Sequence, residues 1–218
     1  MSVSKEMTIT CPNCGKKTKT LVYNAVDASQ NPELKESVLD GTIFRFQCPG
    51  CHDVARLQQD FVYSDPNRKL MIAYACTEQS VADMEAEITR TKEQYSAMGI
   101  AVSYRITRDA QSLSEKVLMA EDGFDDRVME VIKAAYAQEA REQNPDTPFT
   151  RIQYISQATK GAGYDLVFTN GDEPVFSAQF TRADYDRFEA FGKEQFPKTK
   201  HAHPYIVDEE WARECFAE

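Results

Sequence analysis

Alternating apolar and polar positions mark the first third of the chain as strand-rich. Residues 7–11 and 17–23 are rich in Thr, Ile, Val and Tyr and flank Cys11-Pro12-Asn13-Cys14-Gly15, so the pattern predicts a strand, a turn at the cysteines, then a strand. A short helix is expected from Pro32 to Leu39, opened by Asn31-Pro32, where the donor that proline lacks would have no partner anyway. Asp40-Gly41 ends it. Residues 42–47 then lead as a strand into a second cysteine pair. Residues 54–62 and 70–75 complete a small antiparallel sheet, with Ser64-Asp65-Pro66-Asn67 as the turn between them.

The period changes after residue 78. Ser80 to Met98 reads as a helix, capped by Ser80 and ended at Gly99, with Val81, Met84, Ile88, Tyr95 and Met98 at heptad spacing and Thr91 as the polar exception. Such a stripe ordinarily packs on the protein's own sheet. Residues 81–98 also offer a surface through which a second copy could pair as a homodimer. A half-buried strand is expected over 100–107. Two helices follow, one opening at Ser112 with Glu115 as a capping box, the other running from about Phe124 to Glu142. Arg151 to Ser156, Tyr164 to Thr169 and Val175 to Phe180 form a meander, with turns at Lys160-Gly161-Ala162-Gly163 and Asn170-Gly171-Asp172. Thr181 caps a last helix that buries Tyr185, Phe188 and Phe191. Residues after Pro197 are expected to be a loosely held tail.

The resulting fold class is α+β: a small antiparallel zinc-ribbon-like module at 1–78, a connecting helix and strand at 79–104, and an α+β region with a three-strand antiparallel meander at 105–218. Composition agrees with a globular chain, 42% hydrophobic and 11% aromatic. No apolar run is long enough to span a bilayer, and the first residues lack the apolar core of a secretory signal. A cytoplasmic location is the expectation. The formal charge of −10 is uneven: residues 1–78 carry nine Lys/Arg and nine Asp/Glu, residues 79–218 sixteen and twenty-six. Neither part has the basic excess that displaces counterions from phosphate, so no nucleic-acid partner is expected.

Six cysteines without an export signal do not read as a disulfide framework. Four fall in two Cys-x-x-Cys pairs, Cys11/Cys14 and Cys48/Cys51. Two intervening residues let one tight turn aim both sulfurs at a single ion, and zinc takes four such ligands at the corners of a tetrahedron. Pro12 and Pro49 fix the backbone after the first cysteine of each pair. Gly15 can take the positive φ that closes the first knuckle, whereas His52 stands at that place in the second. The candidate metal ligands are therefore Cys11, Cys14, Cys48 and Cys51, holding Zn2+; the same donors would also accept iron. A redox Cys-x-x-Cys opens a helix, and neither pair here does. Cys76 ends an apolar stretch and is expected to be a buried, inert thiol.

These motifs resemble the CpXC domain family, named for its two Cys-Pro-x-Cys pairs. The likeness runs over residues 8–75, through Ile9-Thr10-Cys11-Pro12-Asn13-Cys14-Gly15, Pro32-Glu33-Leu34-Lys35, Leu39-Asp40-Gly41, Phe46-Gln47-Cys48-Pro49-Gly50-Cys51 and Asp65-Pro66. The later segment Leu113-Ser114-Glu115-Lys116-Val117 with Asp122-Gly123-Phe124-Asp125-Asp126-Arg127 is similar to longer members. His52 departs from the family's usual glycine. The resemblance implies a bacterial cytoplasmic protein and brings no biochemical activity with it.

A site of four cysteines has no open position at which to activate water. The reading is thus a metal-stabilised, non-enzymatic binding or interaction module for an unknown protein or small ligand, with no catalytic residue assigned. The alternative is an enzyme with its site near Asp125, Asp126 and Arg127, although acids at a helix start ordinarily answer its dipole. His201 and His203, separated by one alanine in the tail, are assigned no site.

Overall fold

The computed structural model describes residues 1–156 and 163–216; the turn expected at Lys160-Gly161-Ala162-Gly163 lies largely outside the described residues. The chain is α+β and forms two compact units, residues 1–114 and 115–218.

Unit 1 is built on a five-stranded sheet in the order β1-β2-β5-β6-β7. Its strands are β1 (Val3–Thr10), β2 (Lys17–Asp27), β5 (Phe61–Asp65), β6 (Leu70–Tyr74) and β7 (Ser103–Thr107). A separate two-stranded ribbon pairs β3 (Arg45–Gln47) with β4 (Val54–Arg56). The main sheet is mixed, not the all-antiparallel sheet expected. β2 runs parallel to β5, and β6 runs parallel to β7. Both parallel pairs follow from crossovers, which parallel neighbours require. Helix α1 (Pro32–Leu39) and the β3-β4 ribbon separate β2 from β5, and helix α2 (Glu78–Ala97) returns the chain from β6 to β7.

The stretch expected as one strand over 54–62 is divided for the same reason. Its first half closes the small ribbon, and its second half must enter the main sheet beside β2. Thr42–Phe44 is a 3-10 turn rather than strand, and it seats Phe44 in the core, edge-on to Phe61 at 5.0 Å and to Tyr74 at 5.8 Å. Val22, Val26, Tyr63, Ile72 and Ile106 are also buried. Cys76 lies on the surface, contrary to expectation, because β6 has ended at Tyr74 and the chain is already turning into α2.

Helix α2 begins two residues earlier than its pattern suggests. Thr77, not Ser80, is the cap, its hydroxyl accepting the Ser80 N–H at 3.0 Å. Val81 and Ile88 of its heptad stripe are buried, whereas Tyr95 and Met98 are exposed. No helix among the described residues is long and apolar enough to cross a membrane.

Helix α3 (Ala110–Glu121) carries the chain into unit 2. Its opening is capped by Asp109, which accepts both the backbone N–H and the hydroxyl of Ser112 at 2.8 Å. Helix α4 (Asp126–Gln143) and helix α5 (Arg182–Gln195) accompany an antiparallel sheet in the order β10-β9-β8, the meander expected. These strands are β8 (Arg151–Ile155), β9 (Tyr164–Asn170) and β10 (Glu173–Phe180). Thr181 and Asp184 form the capping box of α5, satisfying amides at each other's positions. Phe124 is the hub of the core, with its ring 4.7 Å from Tyr185, 4.8 Å from Tyr164 and 5.8 Å from Tyr154.

The residues after Pro197 are not a loose tail. They form helix α6 (Glu209–Glu214) and bury Val207, Trp211, Ala212 and Cys215 against Val131 of α4 and, in part, Phe188, Phe191 and Phe196. Asp208 caps α6 through the Trp211 N–H at 3.0 Å. Burial on this scale makes the segment part of the fold. Trp211→Ala is expected to lower the stability of unit 2 by about 3–5 kcal/mol, the usual range for an emptied aromatic site. A urea titration followed by circular dichroism measures it, and a shift below about 1 kcal/mol would mean that the segment adds little.

Candidate metal centre

Each cysteine pair forms the turn of an antiparallel hairpin. Thr10 pairs with Lys17 at the mouth of the first turn, and Gln47 pairs with Val54 at the mouth of the second. The two turns are built alike. The Cys11 N–H donates to the Lys16 carbonyl at 2.9 Å and the Gly15 N–H to the Cys11 carbonyl at 3.0 Å. In the second, the Cys48 N–H donates to the Asp53 carbonyl and the His52 N–H to the Cys48 carbonyl, both at 2.9 Å. The Cys-Pro-x-Cys sequence therefore folds the same way twice.

His52 completes this likeness under strain. Gly15 has φ +73°, and His52 at the matching place has φ +61°. A side chain in that left-handed region costs roughly 1–2 kcal/mol. The second knuckle is as regular as the first, and its two sulfurs keep their place.

All four sulfurs lie within 4.8 Å of one another. Cys11 and Cys51 approach to 3.6 Å, as do Cys14 and Cys48. Bonds of about 2.3 Å to a tetrahedral ion separate sulfurs by about 3.8 Å, so the donor set fits one metal ion. Cys11 and Cys48 are buried beside Phe46, Ile9 and Leu57; Cys51 is half-buried and Cys14 is exposed.

The sulfurs of Cys48 and Cys51 differ in their acid–base surroundings. Backbone N–H groups of Cys51 and Gly50 point at the Cys48 sulfur and pull its thiol down to about 6. At Cys51 the Asp53 N–H acts in the same direction, but burial and the three neighbouring sulfurs prevail and push the thiol up to about 12. Four adjacent thiolates repel one another, and a divalent ion removes that penalty. Such a metal held by Cys11, Cys14, Cys48 and Cys51 would cross-link the two hairpins and leave no position for water.

The acidic constellation at the start of α4 is divided by the helix. Asp125 caps it, accepting the Arg127 N–H at 2.9 Å and the Arg127 Nε–H at 3.0 Å. The Arg127 guanidinium lies 5.1 Å above the Phe196 ring. Asp126 is buried elsewhere, accepting from Lys116 Nζ at 2.9 Å. The two carboxylates do not converge on one point. A cavity of about 260 Å³ beside Asp125 is lined also by Glu189 and Lys193, which pair with each other at 3.2 Å. His201 docks on Glu214 at 2.8 Å and helps hold α6.

Sequence reasoning missed a buried ion network in unit 2. Lys133 Nζ reaches Glu115 and Glu130, both at 3.1 Å, and Lys116 lies 3.6 Å from Glu130. Glu115 also accepts the Tyr154 N–H at 2.7 Å, so it joins α3 to the sheet instead of capping α3. Burial raises the Glu130 carboxyl, with Lys133 and Lys116 opposing. The signal was present in α4: Val128, Met129, Val131 and Ile132 are all buried, leaving Glu130 no solvent face between them.

No curated protein and no solved structure matches the chain significantly. The family model described as CpXC protein matches residues 9–133, a stretch that includes both knuckles and more than half of the sequence. By that match, and by the two Cys-Pro-x-Cys turns meeting at one point, the chain belongs to the CpXC family.

Proposed function

We propose that this chain is a non-enzymatic binding protein whose unit 1 is folded around one structural zinc ion. The observation that carries the reading is the all-sulfur donor set, four thiols close enough for one tetrahedral ion with no open position. A closed site of this kind supplies folding energy rather than chemistry. Zinc is preferred because closed four-cysteine tetrahedra are its ordinary structural sites, although the same sulfurs would accept iron.

The working surface is then presented to a protein partner by the remaining fold. Unit 2 carries twenty-one Asp/Glu against twelve Lys/Arg, which favours a partner with basic complement and disfavours nucleic acid. A bacterial cytoplasm, where thiols stay reduced, suits six cysteines without a disulfide. X-ray absorption at the zinc edge tests the site. Four sulfurs at about 2.3 Å and no lighter ligand are expected; an oxygen or nitrogen in the shell would indicate an open position and return the centre to catalysis.

A further inference from the structure

The two knuckles share one backbone but differ at the residue between proline and the second cysteine. The first has Asn13 there and the second has Gly50. Gly50 has no positive φ, so backbone conformation does not explain the glycine. Space does. A methyl group built on Gly50 would lie 2.7 Å from Lys16 Cδ, and 3.6 Å and 3.7 Å from the Cys48 and Cys14 sulfurs. The aliphatic stem of Lys16 therefore reaches from the first knuckle to the second at Gly50. On the other pair, the Asn13 side-chain amide donates across to the Cys51 sulfur at 3.7 Å.

We propose that Asn13 and Lys16 are positioning residues that lock the metal in place, reaching from the first knuckle to the second. The proposal rests on the reading of the four cysteines as a metal site. Cys14 and Cys51 are the ligands that solvent reaches, Cys14 exposed and Cys51 half-buried. Release of a metal to a competing chelator starts where such ligands can be detached. Asn13 stabilises the Cys51 thiolate by its hydrogen bond, and the Lys16 stem covers the second knuckle at Gly50. Partners just outside a metal's ligands commonly change its hold by about 10–100-fold. Gly50 belongs to the same device, since any larger residue displaces the stem.

The test is the rate at which zinc-loaded full-length protein gives up its metal to a chromogenic chelator. Asn13→Ala and Lys16→Ala are each expected to speed release about tenfold. Lys16→Met keeps the stem and should stay within about twofold of the wild-type rate. Gly50→Ala should speed release like Lys16→Ala, yet add nothing when Lys16 is already alanine. All three positions lie in the turns between strands, so circular dichroism should be unchanged. A wild-type protein that takes up no zinc would overturn the metal site and the lock together. Zinc bound normally but released at one rate by wild type and all variants would overturn the lock alone, as would a Gly50→Ala effect of equal size in both backgrounds.

Discussion

Serine at position 48 is expected to release the metal and open the two knuckle-bearing hairpins while unit 2 stays folded. Cys48 is buried among Cys11, Phe46 and the half-buried Leu57, a cluster too small to hold the ribbon by apolar burial. Structural zinc contributes about 10–16 kcal/mol in small zinc-finger peptides, so losing one of four thiolates removes most of what orders this end. The loss should be local. Strands β5, β6 and β7 surround a core of Phe61, Tyr63, Ile72 and Ile106 that lies outside the cysteine cluster. Unit 2 has its own core around Phe124. In hydrogen exchange, protection in β3, β4 and the adjoining ends of β1 and β2 should fall at least about 100-fold, or about 2.8 kcal/mol. Protection across 115–218 should be unchanged. Equal loss in both units would mean one cooperative domain, and unchanged hairpins would mean that the cysteines do not hold this end.

The second large effect is expected in unit 2. Lys133→Met removes the ammonium shared by Glu115 and Glu130 and leaves two buried carboxylates without it. Breaking a buried ionic arrangement from one side costs about 3–5 kcal/mol, far more than the arrangement itself contributes. Burial alone would lower the lysine, but the Glu115 and Glu130 charges outweigh it and raise Lys133 above its ordinary 10.5. The sign follows: a raised cation stabilises the fold fully below 10.5, and that contribution is lost as pH climbs through the folded value. Wild type and Lys133→Met should therefore differ by a constant amount near neutral pH and converge in strong alkali. Urea denaturation at several pH values measures this; a difference below about 1 kcal/mol would show that the carboxylates find other partners or water.

Short-range chemistry was legible in the sequence and long-range packing was not. The knuckles could be read because two residues between cysteines fix the turn locally, and the Thr181 cap of α5 for the same reason. The parallel pairing of β6 with β7 could not be read from strand patterns. It depends on α2 returning the chain to the same end of the sheet, and alternation is identical in both directions. Trp211 packs with Val131, eighty residues upstream, so nothing near it in sequence distinguishes α6 from a tail. Ser112 and Glu115 have the spacing of a capping box, but Asp109 was the better-placed acceptor and Glu115 was drawn inward by Lys133. Cys76 follows an apolar run that ends one residue too soon to bury it. Within the candidate site, the convergence of the four cysteines was legible, whereas the approach of Lys16 to Gly50 depends on how the two hairpins meet.

Metal content with thiol titration on freshly purified, full-length protein tests the four-cysteine centre most directly. One zinc per chain is expected, with Cys11, Cys14, Cys48 and Cys51 unreactive until a chelator is added. Metal-free protein in which those four thiols titrate freely from the start would contradict it.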